Sequence, residues 1–584
     1  LIMGFGAGAA RLDFSEPDNT MRLVQVRDLL GGQGWFDDIQ RRLNPPEGVA
    51  SHWARWIDAA IAAPIALLTP IVGAHAAEVF VAFAWPLGLL AMFMMLVSRV
   101  CRELGGEAFG REAAIAGPIV AALAFPAIEK FAPGSFDHHN VELIFAFAAM
   151  LGLMRMSASP RTGAAAGLAL AAALATAAEA LPQVAAGVAA AGLLWLFNPT
   201  AYRRGLFWFG VALAGGSLIF FLALVPPARW GVHVMDTMSP AFLGIGLASG
   251  LVSMALGSVK GLSRATPVQR SGAAAAVGVM ALGVLLVLCP ELAGGGYSAL
   301  SNEMKSLWLP QISETRTLLQ VGADSPGLML GLAGSAVAGL VFALIYLRKR
   351  PGDANAWIAL AFLLAGCGVL AWQIRGAAFA TAFAVPFGAW AVVAARRKWQ
   401  EARGPRGLLV FAGVCALSMS AAWGALGGQI QARLAPAAAM ADYSERRSSA
   451  DACLTNEAVA ALNRAPPGVI VNPFVSGPAI LLNTPHSVMA APYHRDGGGI
   501  TLMMNAMRAD PEAARAMLVG SPADYVLVCA ALPETSYYAD HPLRAGADPN
   551  TTLSDQLGRG QAPAWLRSVD IGDTPLKLYR IVRD

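Results

Sequence analysis

Charge is scarce in this chain. Of 584 residues, 38 are Asp or Glu and 42 are Lys or Arg, 14% in all, against about 25% in an ordinary soluble domain. That shortage, beside 56% hydrophobic residues and a mean hydropathy of +0.53, excludes a protein made only of water-exposed domains. The net charge of +4 is too small to point to nucleic acid. No internal repeat is visible, which removes support for an inverted-repeat transporter. Of only six cysteines, Cys453 and Cys529 fall where a disulfide is permitted, with the pairing left open. The other four read as small apolar packing residues.

What is present is a succession of apolar windows, each long enough to cross a bilayer core of about 30 Å. They lie near 79–99, 113–131, 138–156, 163–178, 183–197, 206–225, 240–257, 272–289, 327–347, 356–374, 377–395 and 407–426. The opening LIMGFGAGAA has no signal region and reads as the end of a first membrane helix. The expectation is an α-helical polytopic membrane protein of about thirteen transmembrane helices. Residues 57–73 are apolar but interrupted by Pro64 and Pro70, and read as re-entrant or interfacial. Basic residues occupy every second loop, from Arg99 and Arg102 to Arg396 and Arg397, which places those loops in the cytoplasm. The segments 11–56, 132–137, 179–182, 226–239 and 290–326, the turn at Arg375 and the tail then face outward. The tail alternates strand-like runs, GVIVNPF, HSVMAAPY, DYVLVC and KLYRIV, with helical ones such as ADPEAARAMLVG. The expected domains are a transmembrane part, 1–427, whose outer loops 11–56 and 290–326 form the site, and an extracytoplasmic α/β domain, 428–584.

Ionisable groups at a membrane boundary are costly to desolvate, so those on the outer side merit separate weighing. Asp18 lies in EPDNTMR, Asp137, His138 and His139 in PGSFDHHNVELIF, Glu314 in QISETR and Arg375 in WQIRGAAF. Two carboxylates and an imidazole suit a divalent cation; a guanidinium beside them suits a phosphate. Each also has a plain reading. Asp18 and Glu314 are loop acids, Asp137 is a helix N-cap, His138 is a hydrogen-bonded interfacial imidazole, and Arg375 is a snorkelling anchor. Glu179, in AAEALPQ, reads as a solvated hairpin turn, with the outer cavity as the alternative.

These same residues carry a resemblance. PDNTMRLVQVRDLLGGQGWFDD resembles the first outer loop of the catalytic subunit of oligosaccharyltransferase, a C-type (GT-C) membrane glycosyltransferase, with its early Asp, its Asn and Arg, and an aromatic-Asp-Asp element. PGSFDHHNVELIFAF is similar to that family's Gly-x-x-Asp-x-acid motif, QISETR to its Ser-x-Ser-Glu segment, and Arg375 to its helix-end arginine. HSVMAAPYHRDGGGI followed by DYVLVC resembles its outer domain. The resemblance implies that Asp18 binds metal and orients the acceptor, with Arg22 beside it as a weaker candidate. It implies that Asp137 binds metal, that Glu314 is a third acid on a mobile loop, and that Arg375 holds the phosphate of a polyprenyl-linked donor.

Two departures matter. The second acid of the Asp-x-acid motif is His139, a neutral and softer ligand, which favours manganese or zinc over magnesium or dispenses with the metal. Where the family has a Trp-Trp-Asp-Tyr-Gly block that reads the acceptor hydroxyl, this chain has PFVSG, Pro473 to Gly477, with Val475 in place of the aspartate. The only tryptophan after residue 427 is Trp565. The expected activity is therefore transfer of a sugar or oligosaccharide from a polyprenyl phosphate or pyrophosphate to a glycolipid, polysaccharide or unusual protein acceptor. A divalent cation, Mn or Mg, assists it, on the periplasmic face of a bacterial inner membrane. The alternative is a lipid-linked glycan flippase without catalysis. A flippase would place its charges along a path through the bilayer; the enzyme needs Asp18, Asp137, His139 and Glu314 in one pocket beside Arg375.

Overall fold

The computed structural model describes residues 2–14, 16–297, 300–434 and 437–583. It divides into two compact units. One contains Leu1–Phe83, Ala299–Ile312 and Ala435–Asp584; the other contains Ala84–Ser298 and Ser313–Leu434. What the sequence does not display is that the first 83 residues and a short piece near 300 belong with the tail.

Among the described residues, nine helices are long and apolar enough to cross a membrane, or ten if Pro405–Ser418 and Ser420–Leu434, bent by 85°, form one span. The difference from thirteen has local causes. Ala74–Ala122 is one helical run broken at Gly106, whose φ of 61° and ψ of −157° are open to glycine and to few other residues. Its arms cover the window 79–99 and the first half of 113–131, whose remainder forms the short helix Phe125–Ile128 and the turn Glu129–Phe131, and Ser98 Oγ donates to the Ala114 carbonyl between them at 2.7 Å. His139–Met154 and Pro160–Leu174 are shorter than their windows, at 16 and 15 residues. Arg55–Val72 corrects the reading of 57–73 as an interrupted stretch. Pro64 and Pro70 lie inside a single 18-residue helix, because a helix in apolar surroundings tolerates one missing N–H per proline when its other bonds persist.

Within the helical unit the core is aromatic. Phe93 stacks on Phe131 at 4.9 Å and meets Phe147 edge-on at 5.1 Å, and Phe147 stacks on Phe383 at 5.7 Å. This layer packs the helix after Asp137 against Ile374–Ala402, the most buried of the spans.

The other unit is built on a five-stranded sheet. Its strands follow a short antiparallel hairpin of β1 (Ile39–Gln40) and β2 (Val49–Ala50). β3 (Val469–Val471) runs parallel to β4 (Ser487–Val488) and to β5 (Tyr525–Val528). β7 (Lys577–Ile581) is antiparallel to β5 and to β6 (Leu566–Val569), giving the order β4-β3-β5-β7-β6. All four runs read as strands in the sequence are strands, and the helix Pro511–Val519 lies where ADPEAARAMLVG predicts one. β6 escapes prediction because its LRSV is half polar and short. Central β5 is buried along its whole length, as its unbroken apolar run requires.

The N-terminal segment is fastened to this sheet. Leu43 bridges Val488, Arg42 donates to the carbonyls of Thr484 (2.7 Å) and Leu481, and Arg27 donates to that of Leu482 at 3.0 Å. Cys453 and Cys529 form a disulfide with Cα atoms 6.4 Å apart, which resolves the pairing that the sequence leaves open.

Candidate active site

The helical unit gathers its ionisable groups from three turns separated widely in sequence. The first is the turn before helix His139–Met154, where Asp137 and His138 are buried. The N-cap of that helix is His138, not Asp137. The Asp137 carboxylate lies instead between the two imidazoles, with Oδ1 2.7 Å from His138 Nδ1 and Oδ2 3.3 Å from His139 Nε2. One turn further along, Glu142 places Oε2 2.9 Å from His139 Nδ1. His139 and Glu142 are three residues apart on a helix and so share a face.

The second turn is Ala178–Ala180, at the entry to helix Leu181–Phe197. Glu179 does not stand free in solvent here. Its Oε1 accepts from Arg375 Nη1 at 2.7 Å, and its Oε2 is 3.9 Å from His138 Nε2. The third is Ile374–Gly376, which feeds helix Ala377–Ala402. Gly376 is required there: a Cβ on it would stand 2.3 Å from the Leu370 nitrogen. The close approach fixes where Arg375 emerges.

The result is a chain of contacts, Arg375–Glu179–His138–Asp137–His139–Glu142. Three carboxylates face one guanidinium, which leaves two negative charges when both imidazoles are neutral, the form in which they ligate metals. Asp137 with His138 and His139, and His138 with Glu142 and Glu179, each present ligand atoms within 4.8 Å of one another. Glu142 Oε1 is buried and, among the described residues, has no hydrogen-bond partner. A buried carboxylate with an unused oxygen, beside two imidazoles and a second buried carboxylate, fits a divalent cation of borderline softness.

Glu314 lies half-buried in the turn Ser313–Thr315. Its segment reaches Arg375's, because the Ile374 N–H donates to the Arg316 carbonyl at 2.9 Å. Among the described residues Glu314 joins no group with metal-ligand spacing. Sequence reading passed over Glu142, although the His-x-x-Glu spacing at the start of a helix was available to find it. It also ranked His138 and Glu179 low, whereas both stand inside the chain of contacts.

In the sheet-containing unit, Asp18 occupies the first turn of helix Pro17–Leu30, where a carboxylate complements the helix dipole. Arg22, one turn on, is wholly buried. Its Nη1 donates to Asp58 Oδ1 at 2.8 Å, and its guanidinium lies 4.6 Å over the Trp53 ring. This fastens Pro17–Leu30 to Arg55–Val72. The PFVSG segment forms the short turn Phe474–Ser476 after β3. It has no acid of its own, but Glu534 supplies one from elsewhere in the fold. The Glu534 oxygens accept from the N–H groups of Phe474 (3.1 Å) and Val475 (3.3 Å). Burial pushes the Glu534 carboxyl up to about 8, against the opposing pull of those two N–H groups.

Among known structures, the chain is similar to the archaeal oligosaccharyltransferase AglB from Archaeoglobus fulgidus, in complex with an inhibitory peptide and a dolichol-phosphate. The TM-score is 0.68 at 12% identity, over 95% of this chain and 75% of that one. It is similar also to an Archaeoglobus fulgidus oligosaccharyltransferase tethered with an acceptor peptide containing the NVT sequon (TM-score 0.62, 13% identity, 97% and 70% covered). A third structure is an Archaeoglobus fulgidus oligosaccharyltransferase in complex with Zn and sulfate (TM-score 0.58, 14% identity, 97% and 69% covered). No protein-family model and no curated protein sequence matches the chain. The chain therefore has the GT-C fold of these enzymes, and the resemblance drawn from its motifs holds at the level of fold.

Proposed function

We propose that this protein is an integral membrane glycosyltransferase. It moves a sugar or oligosaccharide from a polyprenyl-phosphate or pyrophosphate donor to an acceptor on the outer face of the bacterial inner membrane, with residues 428–584 in the periplasm. The observation that carries the reading is the contact chain from Arg375 to Glu142, half-buried at Arg375 and Glu179 and buried from His138 to Glu142. A mere topological anchor has no reason to gather three carboxylates in one place, two of them buried, whereas a phosphate-leaving reaction needs charge of both signs held in place. The fold shared with an enzyme captured with a dolichol-phosphate, and with one captured with Zn and sulfate, supports this choice.

In this reading Asp137, His139 and Glu142 hold a divalent cation, Mn, Mg or Zn, with His138 close enough to join. The cation supplies neutralisation of the charge that develops on the departing phosphate. Arg375 binds that phosphate. Glu179 holds the guanidinium until the donor arrives, then yields it to the stronger bidentate partner. Asp18 orients the acceptor nucleophile, and Glu314 acts as a further acid from its loop. The anomeric carbon is displaced with inversion. With Val475 where the family reads its sequon, the acceptor is a glycolipid, a polysaccharide or a protein lacking the ordinary Asn-x-Ser/Thr signal.

The test compares wild-type cells with Asp137→Ala cells by mass spectrometry of lipid-linked glycans and envelope glycoconjugates. Accumulated donor with one missing product supports the assignment and names both substrates. Unchanged profiles at equal protein levels refute it.

A further inference from the structure

We infer that the turn Gly34–Asp37 docks on lipid: it seats Trp35 and Phe36 among the headgroups, where helix Arg55–Val72 meets the membrane surface. The Asp37 N–H donates to the Gly34 carbonyl at 3.0 Å, so Trp35 and Phe36 are the two central residues of a tight turn. Those positions ordinarily go to Gly, Pro, Asn, Asp or Ser. Here they hold two large aromatic side chains, 40% and 42% exposed.

The turn is built to keep them out. Arg55 is buried, and its Nη2 donates to Gln33 Oε1 at 2.9 Å, to the Gly34 carbonyl at 3.2 Å and to the Asp37 carbonyl. Its Nε donates to the Trp35 carbonyl at 3.4 Å. Gln33 Nε2 closes the base of the loop on the Ile39 carbonyl at 2.8 Å. A buried guanidinium that gives its donors to four oxygens of one loop fixes that backbone. The apolar tip is therefore held in place, and the inward collapse that would hide it from water is blocked.

Arg55 also opens the helix Arg55–Val72, and that helix says what lies beside the tip. It has two apolar faces. Ile57, Ile61 and Ile65 are buried. On the other side Trp56, Ala60, Ala63, Leu67, Pro70 and Ile71 follow the helical period. Trp56 and Ala60 are half-buried; from Ala63 onward the stripe is exposed, with Leu67 at 74% and Ile71 at 77%. No Asp, Glu, Lys or Arg occurs from 59 to 77, and only Gly73 separates this helix from the one that carries the apolar run 79–99. A helix about 27 Å long that is apolar on both faces lies in contact with lipid. The stripe begins at Trp56, next to Arg55, so the lipid boundary reaches the residue that carries the turn. Aromatic side chains concentrate at that depth. Charge agrees, because Asp37, the acid of the turn, is paired with Arg41 at 2.8 Å and does not face lipid phosphates alone. The inference needs a membrane protein; it does not need sugar transfer.

The experiment is photo-crosslinking of the full-length protein in nanodiscs of phosphatidylethanolamine and phosphatidylglycerol. Phe36→p-benzoylphenylalanine is compared with the same replacement of Leu67, on the stripe, and of Leu543, 37% exposed in the sheet-containing unit. Mass spectrometry is expected to find lipid adducts at 36 and 67 and none at 543. Absence of a lipid adduct at 36, equal adducts at 36 and 543, or crosslinks from 36 to a second copy of the chain in place of lipid would each overturn the inference. Should the Phe36 variant fail to fold, Trp35→Leu carries the test. Brominated phosphatidylcholine is then expected to quench a larger share of wild-type tryptophan fluorescence than of the variant's, and equal quenching overturns the inference. If Asp137→Ala leaves cellular glycans unchanged while position 36 still labels lipid, the catalytic reading fails and the docked turn remains.

Discussion

Around Asp137 the helical unit buries its ionisable side chains together; in the sheet-containing unit Glu534 and Asp496 are buried one at a time. Glu534 rests on two backbone N–H groups and is pushed up to about 8 by burial. Asp496, fully buried, accepts from the Ala491 N–H at 3.1 Å, and burial holds its carboxyl well above the usual range. A solitary acid away from water gives up its charge, because neutralising it costs less than solvating it poorly. The cluster from Arg375 to Glu142 is arranged differently: a guanidinium or an imidazole sits within hydrogen-bonding reach of each carboxylate. Buried ion pairs serve structure as well, as Arg22 and Asp58 do; what sets the cluster apart is that three acids, two imidazoles and a guanidinium meet in one place.

The comparison can be broken at several points. The largest effect is expected from Asp137→Asn, which keeps volume and removes the central charge. Transfer should fall by about 100- to 1,000-fold, measured as product formed from a purified lipid-linked donor, with the purified protein still folded. Replacing Cys453 and Cys529 together by Ser should destabilise the sheet-containing unit by about 2–4 kcal/mol, read as a lower thermal midpoint that reductant reproduces in the wild type. Glu534 sharpens the contrast through pH. Its folded-state pKa is raised, so its contribution to stability is full below the unfolded value and is lost as pH rises through about 8. Between pH 6 and pH 8 the loss should be about 2–3 kcal/mol, and Glu534→Gln should flatten that slope in thermal unfolding scans. The smallest effect is Glu179→Gln, expected to change transfer by about tenfold, mainly through KM for the donor, since it loosens Arg375 without removing it. A Glu179→Gln loss as large as that of Asp137→Asn would show that Glu179 touches the reacting atoms directly.

Much of this was legible before any coordinates. Apolar windows mark the spans, alternating runs mark β3, β4, β5 and β7, and the Asp-His-His turn advertises itself because such residues are rare beside a membrane helix. What stayed hidden depends on distance along the chain. Glu179 and Arg375 are 196 residues apart, and nothing local distinguishes Glu179 from an acid in a wet turn. Glu142 was hidden for a different reason: a motif read as Asp-x-acid directs the eye two residues on, whereas a helix brings the third and fourth neighbours onto one face. The attachment of the N-terminal segment to the tail uses the backbone carbonyls of Leu481, Leu482 and Thr484, which receive Arg27 and Arg42. Carbonyls leave no trace in a sequence.

The covalent link between Cys453 and Cys529 encloses Arg464, Arg495, Arg508 and Arg515. A tryptic nick at any of them would cut the polypeptide without parting it. The two pieces would migrate as one band on a non-reducing gel and separate only after dithiothreitol, so apparent protease resistance in this stretch has to be judged under both conditions.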